Sequence, residues 1–128
     1  MILVFDEDSG TKVPRALRIV GLQNVIPITS KVPKGTKDPV WIPIAGQERW
    51  LVFSCNKAML NVAAERDLII SEKVGIVFLT NGQENRATML RLVLNRWKWL
   101  QKIDELEQRP FAFYLYPNNQ TRKRSLSV

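Results

Sequence analysis

A chain of 128 residues, 45% of them hydrophobic, makes one domain with room for a proper core. It has no histidine and a single cysteine, which excludes triads built on an imidazole base, internal disulfides and tetrahedral zinc. Its formal charge of +7 suits a polyanionic partner, nucleic acid first, with plain solubility as the bland alternative.

Residues 2–5 are a continuous apolar run, the pattern of a strand buried on both faces. A helix is expected over residues 11–20. Val13, Ala16, Leu17 and Val20 share a face there, Pro14 sits in the first turn and Gly21 ends it. Residues 25–28 read as a second strand and residues 29–37 as a loop carrying Lys31, Lys34 and Lys37. Asp38-Pro39 reads as a helix cap followed by proline at the first helical position. Because Pro43 removes a backbone donor, the regular part of that helix is expected to run only from near Trp41 to near Glu48.

Residues 50–53 read as the third strand, and residues 54–57 as the turn into a helix ending near Ser71. Residues 75–79 read as the fourth strand. Asn81 with Glu84 has the spacing of a capping box, opening one long helix over residues 85–107. Its stripe is Leu90, Val93, Leu94, Trp97, Leu100 and Ile103, which leaves Trp99 outside the core, free to stack on a base or to meet a protein partner. Residues 111–116 read as a fifth strand, and residues 117–128 as a basic, mobile tail. The alternation predicts an α/β domain over residues 1–116, a three-layer sandwich. Its mostly parallel central sheet of about five strands carries helices on both faces.

Functional groups of an open parallel sheet collect beyond the carboxyl ends of its strands. Asp6, Glu7 and Asp8 follow the first strand, Asp38 opens the helix after the second, and Ser54 and Asn56 follow the third. Without histidine, a metal here would be a hard cation on oxygen ligands, Mg²⁺ or Mn²⁺. Asp6, Asp8, Asp38, Asn56 and Ser54 supply such a set, able to assist hydrolysis of a phosphodiester. Each also has a plain structural reading, because Asp, Asn and Ser are good helix caps. Ser54-x-x-Lys57 matches the acyl-enzyme signature only by coincidence, since the chain is too short for that fold.

The chain resembles the PIN-like nuclease domains, in particular the VapC45-like toxins. The likeness is carried by Phe5-Asp6-Glu7-Asp8, residues 38–43, residues 50–57 and residues 74–79 in that order. The resemblance implies metal-dependent endoribonuclease activity as the toxin of a toxin-antitoxin pair. RNA is then the substrate and an antitoxin protein the partner, with a homodimer left open. Asp6 matches the family's first acid and Asp38 its second. Asn56 stands where relatives carry an aspartate and Ser54 where they carry a threonine, so Asp8 is expected to return the lost charge.

Lys12, Arg15, Lys34, Lys37 and Lys57 are the expected phosphate contacts. The alternative is a catalytically degenerate descendant that binds RNA or a protein without cutting, motivated by Asn56. A further alternative is a plain interaction module using the aromatic, basic helix. With no secretory leader and no run of membrane-span length, a cytoplasmic protein without membrane contact is expected.

Overall fold

We describe a computed structural model of the chain over residues 1–80 and 85–126. The strands are β1 (Leu3–Phe5), β2 (Val25–Pro27), β3 (Leu51–Ser54), β4 (Gly75–Leu79), β5 (Phe111–Leu115) and β6 (Thr121–Arg124). The α-helices are α1 (Lys12–Ile19), α2 (Asp38–Gln47), α3 (Ala63–Ser71), α4 (Arg86–Asn95) and α5 (Trp97–Leu106). The sheet order is β2-β1-β3-β4-β5-β6, parallel throughout except for the antiparallel pair β5 and β6.

Period two along the strands divides the core into two layers. Leu3, Phe5, Leu51, Phe53, Val77, Leu79, Phe111 and Phe113 face one side, where Val13 and Leu17 of α1, Met89 and Val93 of α4, and Leu100 of α5 cover them. Val4, Val52, Ile76, Phe78 and Ala112 face the other side, under Trp41, Ile42 and Ala45 of α2 and Ile69 of α3. The chain is therefore the expected α/β three-layer sandwich, with six strands in place of about five.

The additional strand lies in the stretch read as a tail. Residues 121–124 pair with β5, and Asn119 makes the turn between them in the left-handed region, at φ 71°. The same turn accounts for a second departure. The single helix expected over residues 85–107 breaks at Arg96, which leaves helical geometry at φ −106° and ψ 16°. Its guanidinium donates to the Asn119 carbonyl, and Asn95 Nδ2 reaches Asn119 Oδ1 at 3.3 Å. An arginine directed at the hairpin thus coincides with the bend and anchors the C-terminal strand to it.

Trp99 is not a free aromatic. It meets Phe113 edge-on, centroids 5.3 Å apart, and is partly buried against the core. Leu94, expected in the stripe, is 46% exposed. The Asn81–Glu84 capping box lies outside the described residues. Within them Asn85 caps α4, its Oδ1 accepting from Thr88 N at 3.0 Å.

On the opposite layer, α2 begins at Asp38 itself and continues through Pro43 to Gln47, so Asp38 is the first helical residue and Lys37 the cap. The expected single segment after β3 is split. A 3₁₀ turn spans Lys57–Asn61, Val62 is extended, and α3 starts at Ala63. α2 and α3 pack together, and Gly46 marks how closely: a Cβ there would stand 2.1 Å from the Glu72 carbonyl oxygen. A backbone oxygen does not move aside cheaply, so Gly46→Ala should cost about 1–3 kcal/mol of stability, read as a lower denaturant midpoint with an unchanged slope.

Candidate active site

Asp6 is the residue that follows β1, one step beyond Phe5. Period two sends it to the face of Val4, the layer of α2 and α3. Asp38 opens α2 and Glu65 lies in the first turn of α3. These three acids, with Glu7, Asp8, Ile28, Val32, Lys37 and Trp41, line one cavity of about 350 Å³. Both helices on that layer begin at the cavity, so their positive N-terminal ends lie at its acids.

Asp6 is 4% exposed. Its Oδ1 accepts from Ser9 N at 3.1 Å and from Ser9 Oγ at 2.7 Å. The 3₁₀ turn Glu7–Ser9 exists because this carboxylate caps it. Ser54 also bonds to Asp6. The parallel register sets Phe5 beside Phe53, so the next residues, Asp6 and Ser54, meet at the strand ends. Burial outweighs these bonds and pushes the Asp6 carboxyl up to about 6.

Glu65 was not among the residues that sequence reasoning selected. In a single helix after β3 it would be a mid-helix surface acid. The break at Val62 puts it instead in the first turn of α3, at the cavity wall. Desolvation, and after it a hydrogen bond and repulsion from Asp38, push its carboxyl up to about 7. Glu65 therefore keeps its proton up to near neutral pH. Asp38 is oriented from its other side, its Oδ1 accepting from Trp41 Nε1 at 2.8 Å. An acid in the first turn of a helix was the one signal for Glu65 in the sequence, and it is a generic one.

The other expected site residues are distributed differently. Asp8 is exposed and lines the cavity. Lys37 lines it too, whereas Lys34 lines a neighbouring cavity that shares Asp6 and Glu7. Lys12, Arg15 and Lys57 are exposed and line neither. The Asn56 side chain is outside the cavity. Its contribution is through the backbone: Asn56 N–H donates to Ser54 Oγ at 3.0 Å, and Ser54 in turn bonds to Asp6. Ser54 thus supports Asp6 and is fully buried, not a cavity-facing donor.

Among the described residues, no three Asp, Glu or Cys side chains are gathered as a ligand set. The expected cluster of Asp6, Asp8, Asp38 and Asn56 is thus an open lining, with Asn56 outside it. The donor chemistry still fits a hard cation. The cavity's anionic oxygen donors are all carboxylates, with Lys37 the cation in the lining, and Mg²⁺ commonly takes one or two carboxylates and keeps its waters. Among the described residues no helix is long and apolar enough to cross a membrane.

A family model described as a PIN like domain matches residues 1–81, and the chain belongs to that family. The match takes in Asp6, Asp8, Asp38 and Glu65 and ends just after β4. Membership supports nuclease-type function in general. No curated protein and no solved structure matches the chain.

The raised Asp6 value makes a prediction. Its carboxyl titrates near 3.8 when unfolded and about 6 when folded. The proton-linked stabilisation is complete below the lower value and is lost as pH rises through the upper one. In chelator, Asp6→Asn should be more stable than wild type by about 1–3 kcal/mol near pH 8. That gap should close below about pH 4, as read by denaturant unfolding at both pH values.

Proposed function

We propose that the protein is a metal-dependent endoribonuclease of the VapC45-like toxin kind, with the cavity between β1, α2 and α3 as its active site. One observation carries the reading. Asp6, Asp38 and Glu65 reach a single cavity from three separate elements, and two of them hold protons well above the ordinary carboxylate range. Raised acids in a cleft point to a functional site, because burial and paired acids shift carboxyls where chemistry needs a proton held near neutral pH.

Asp6 and Asp38 would hold Mg²⁺ or Mn²⁺, with Asp8 at the rim. When bound, the cation neutralises phosphodiester charge and activates the attacking water. Glu65, at about 7, has the proton affinity a general base requires near neutral pH. Its carboxylate takes the proton of the attacking water while Asp38 keeps its Trp41 hydrogen bond. Ser9 and Ser54 fix the Asp6 carboxylate. Lys37 in the wall is the best placed phosphate contact; Lys34, Lys12, Arg15 and Lys57 would hold flanking RNA. An antitoxin protein is the proposed partner, covering the acidic mouth, and the cytoplasm the proposed location.

The open spacing of the acids favours one second reading, a degenerate domain that binds RNA or protein without cutting. Single-stranded RNA incubated with Mn²⁺ separates the two. Cleavage should appear in wild type and fall by about 100-fold or more in Glu65→Gln and in Asp6→Ala,Asp38→Ala. Asn56→Asp should leave it unchanged, because that side chain is not in the cavity. Equal cleavage in wild type and the double variant would remove the acids from the mechanism, and activity only in Asn56→Asp would establish the degenerate reading.

A further inference from the structure

We propose that the neighbouring cavity is a nucleotide subsite, holding one base and ribose of a single-stranded RNA beside the phosphodiester to be cut. This rests on the catalytic reading of the acidic cavity. It adds a specificity site that the acids themselves do not define.

The second cavity has a volume of about 280 Å³. That lies just under the usual range of ligand pockets, about 300–1,000 Å³, and suits a single nucleoside. Pro27 and Ile28 supply apolar wall over a fully buried Phe5, Thr11 and Thr29 supply hydroxyls, and Lys34 supplies the one cation of the lining. A planar apolar face, a sugar or base edge with donors and acceptors, and a phosphate need these three kinds of group.

The position matters as much as the lining. Asp6 and Glu7 border both cavities. Glu7 is also the partition between them, because its Oε1 accepts from Gly35 N and pins the loop of residues 31–37 across the strand end. Gly35 turns there at φ +84°, in the left-handed region that glycine alone adopts freely. The turn splits the two lysines: Lys37 faces the acidic cavity and Lys34 the second one. A polynucleotide crossing Glu7 would meet a cation in each cavity, one for each successive phosphate. Beyond the second cavity, Thr11 leads into α1, where Lys12 and Arg15 are exposed to receive the strand.

Two substitutions test the subsite without touching the acids. Thr29 is exposed, so Thr29→Trp fills the cavity mouth without loss of core. Lys34→Ala removes the phosphate contact. The binding probe is a 2′-O-methyl dinucleoside monophosphate, read by NMR shift titration, and the activity probe is a random single-stranded RNA pool with Mn²⁺. Thr29→Trp should weaken dinucleotide binding by about tenfold or more, with Lys34→Ala weaker by less. In the pool, Thr29→Trp should flatten the base preference at one position beside the cut. Glu65→Gln should stop cutting yet still bind the dinucleotide. Unchanged binding and unchanged base preference in both variants would overturn the subsite while leaving the catalytic reading standing. Dinucleotide binding that depends on Thr29 and Lys34 in a protein that cuts no RNA would do the reverse.

Discussion

Asp6 keeps a carboxyl 4% exposed at the end of β1, and a buried charge is costly unless it is met by donors or neutralised. The local chain is shaped around meeting it. The turn Glu7–Ser9 aims a backbone N–H and a hydroxyl at Oδ1. Ser9 Oγ also lies 3.3 Å from the Phe53 carbonyl, tying the turn to β3. Ser54 adds its bond from the adjacent strand end, steadied by the Asn56 N–H. Even so the carboxyl stays at about 6, short of full compensation. Such a residue is retained for something other than stability.

The same logic extends across the cavity. α2 and α3 approach closely enough for Gly46 to lie against the Glu72 carbonyl, and their first turns bring Asp38 and Glu65 together. Asp38 repels an ionised Glu65, which keeps its proton up to about pH 7. The helix N-termini offset part of that repulsion. A cation would replace the proton and relieve the remainder. This arrangement joins packing to chemistry: the glycine contact holds the helix pair whose starts set Asp38 beside Glu65.

The first five strands and the three-layer plan were legible because short continuous apolar runs alternating with helices leave little choice but a buried parallel sheet. Asp6 and Asp38 were legible for the same reason, being adjacent to a strand end and a helix start. Glu65 was hidden by the break at Val62, which no glycine or proline announces. Asn56 drew attention by its position after β3, yet its side chain lies outside the cavity and its backbone does the bonding. The break at Arg96 went unread because it coincides with a contact between residues 23 apart in the chain, and β6 because its polar and charged residues, Thr121 to Arg124, carry no apolar pattern although they pair locally with β5. Local propensity carries no record of such a contact. The turn residues Pro117, Asn118 and Asn119 were its only trace.

The central claim is that Asp6 and Asp38 hold one cation, with Glu65 beside it. Calorimetric titration of Mn²⁺ into the protein near pH 8 tests it most directly. The account predicts saturable uptake at one site in wild type, lost in Asp6→Ala and weakened in Glu65→Gln. Absent binding at millimolar metal, or equal binding in all three proteins, would contradict it.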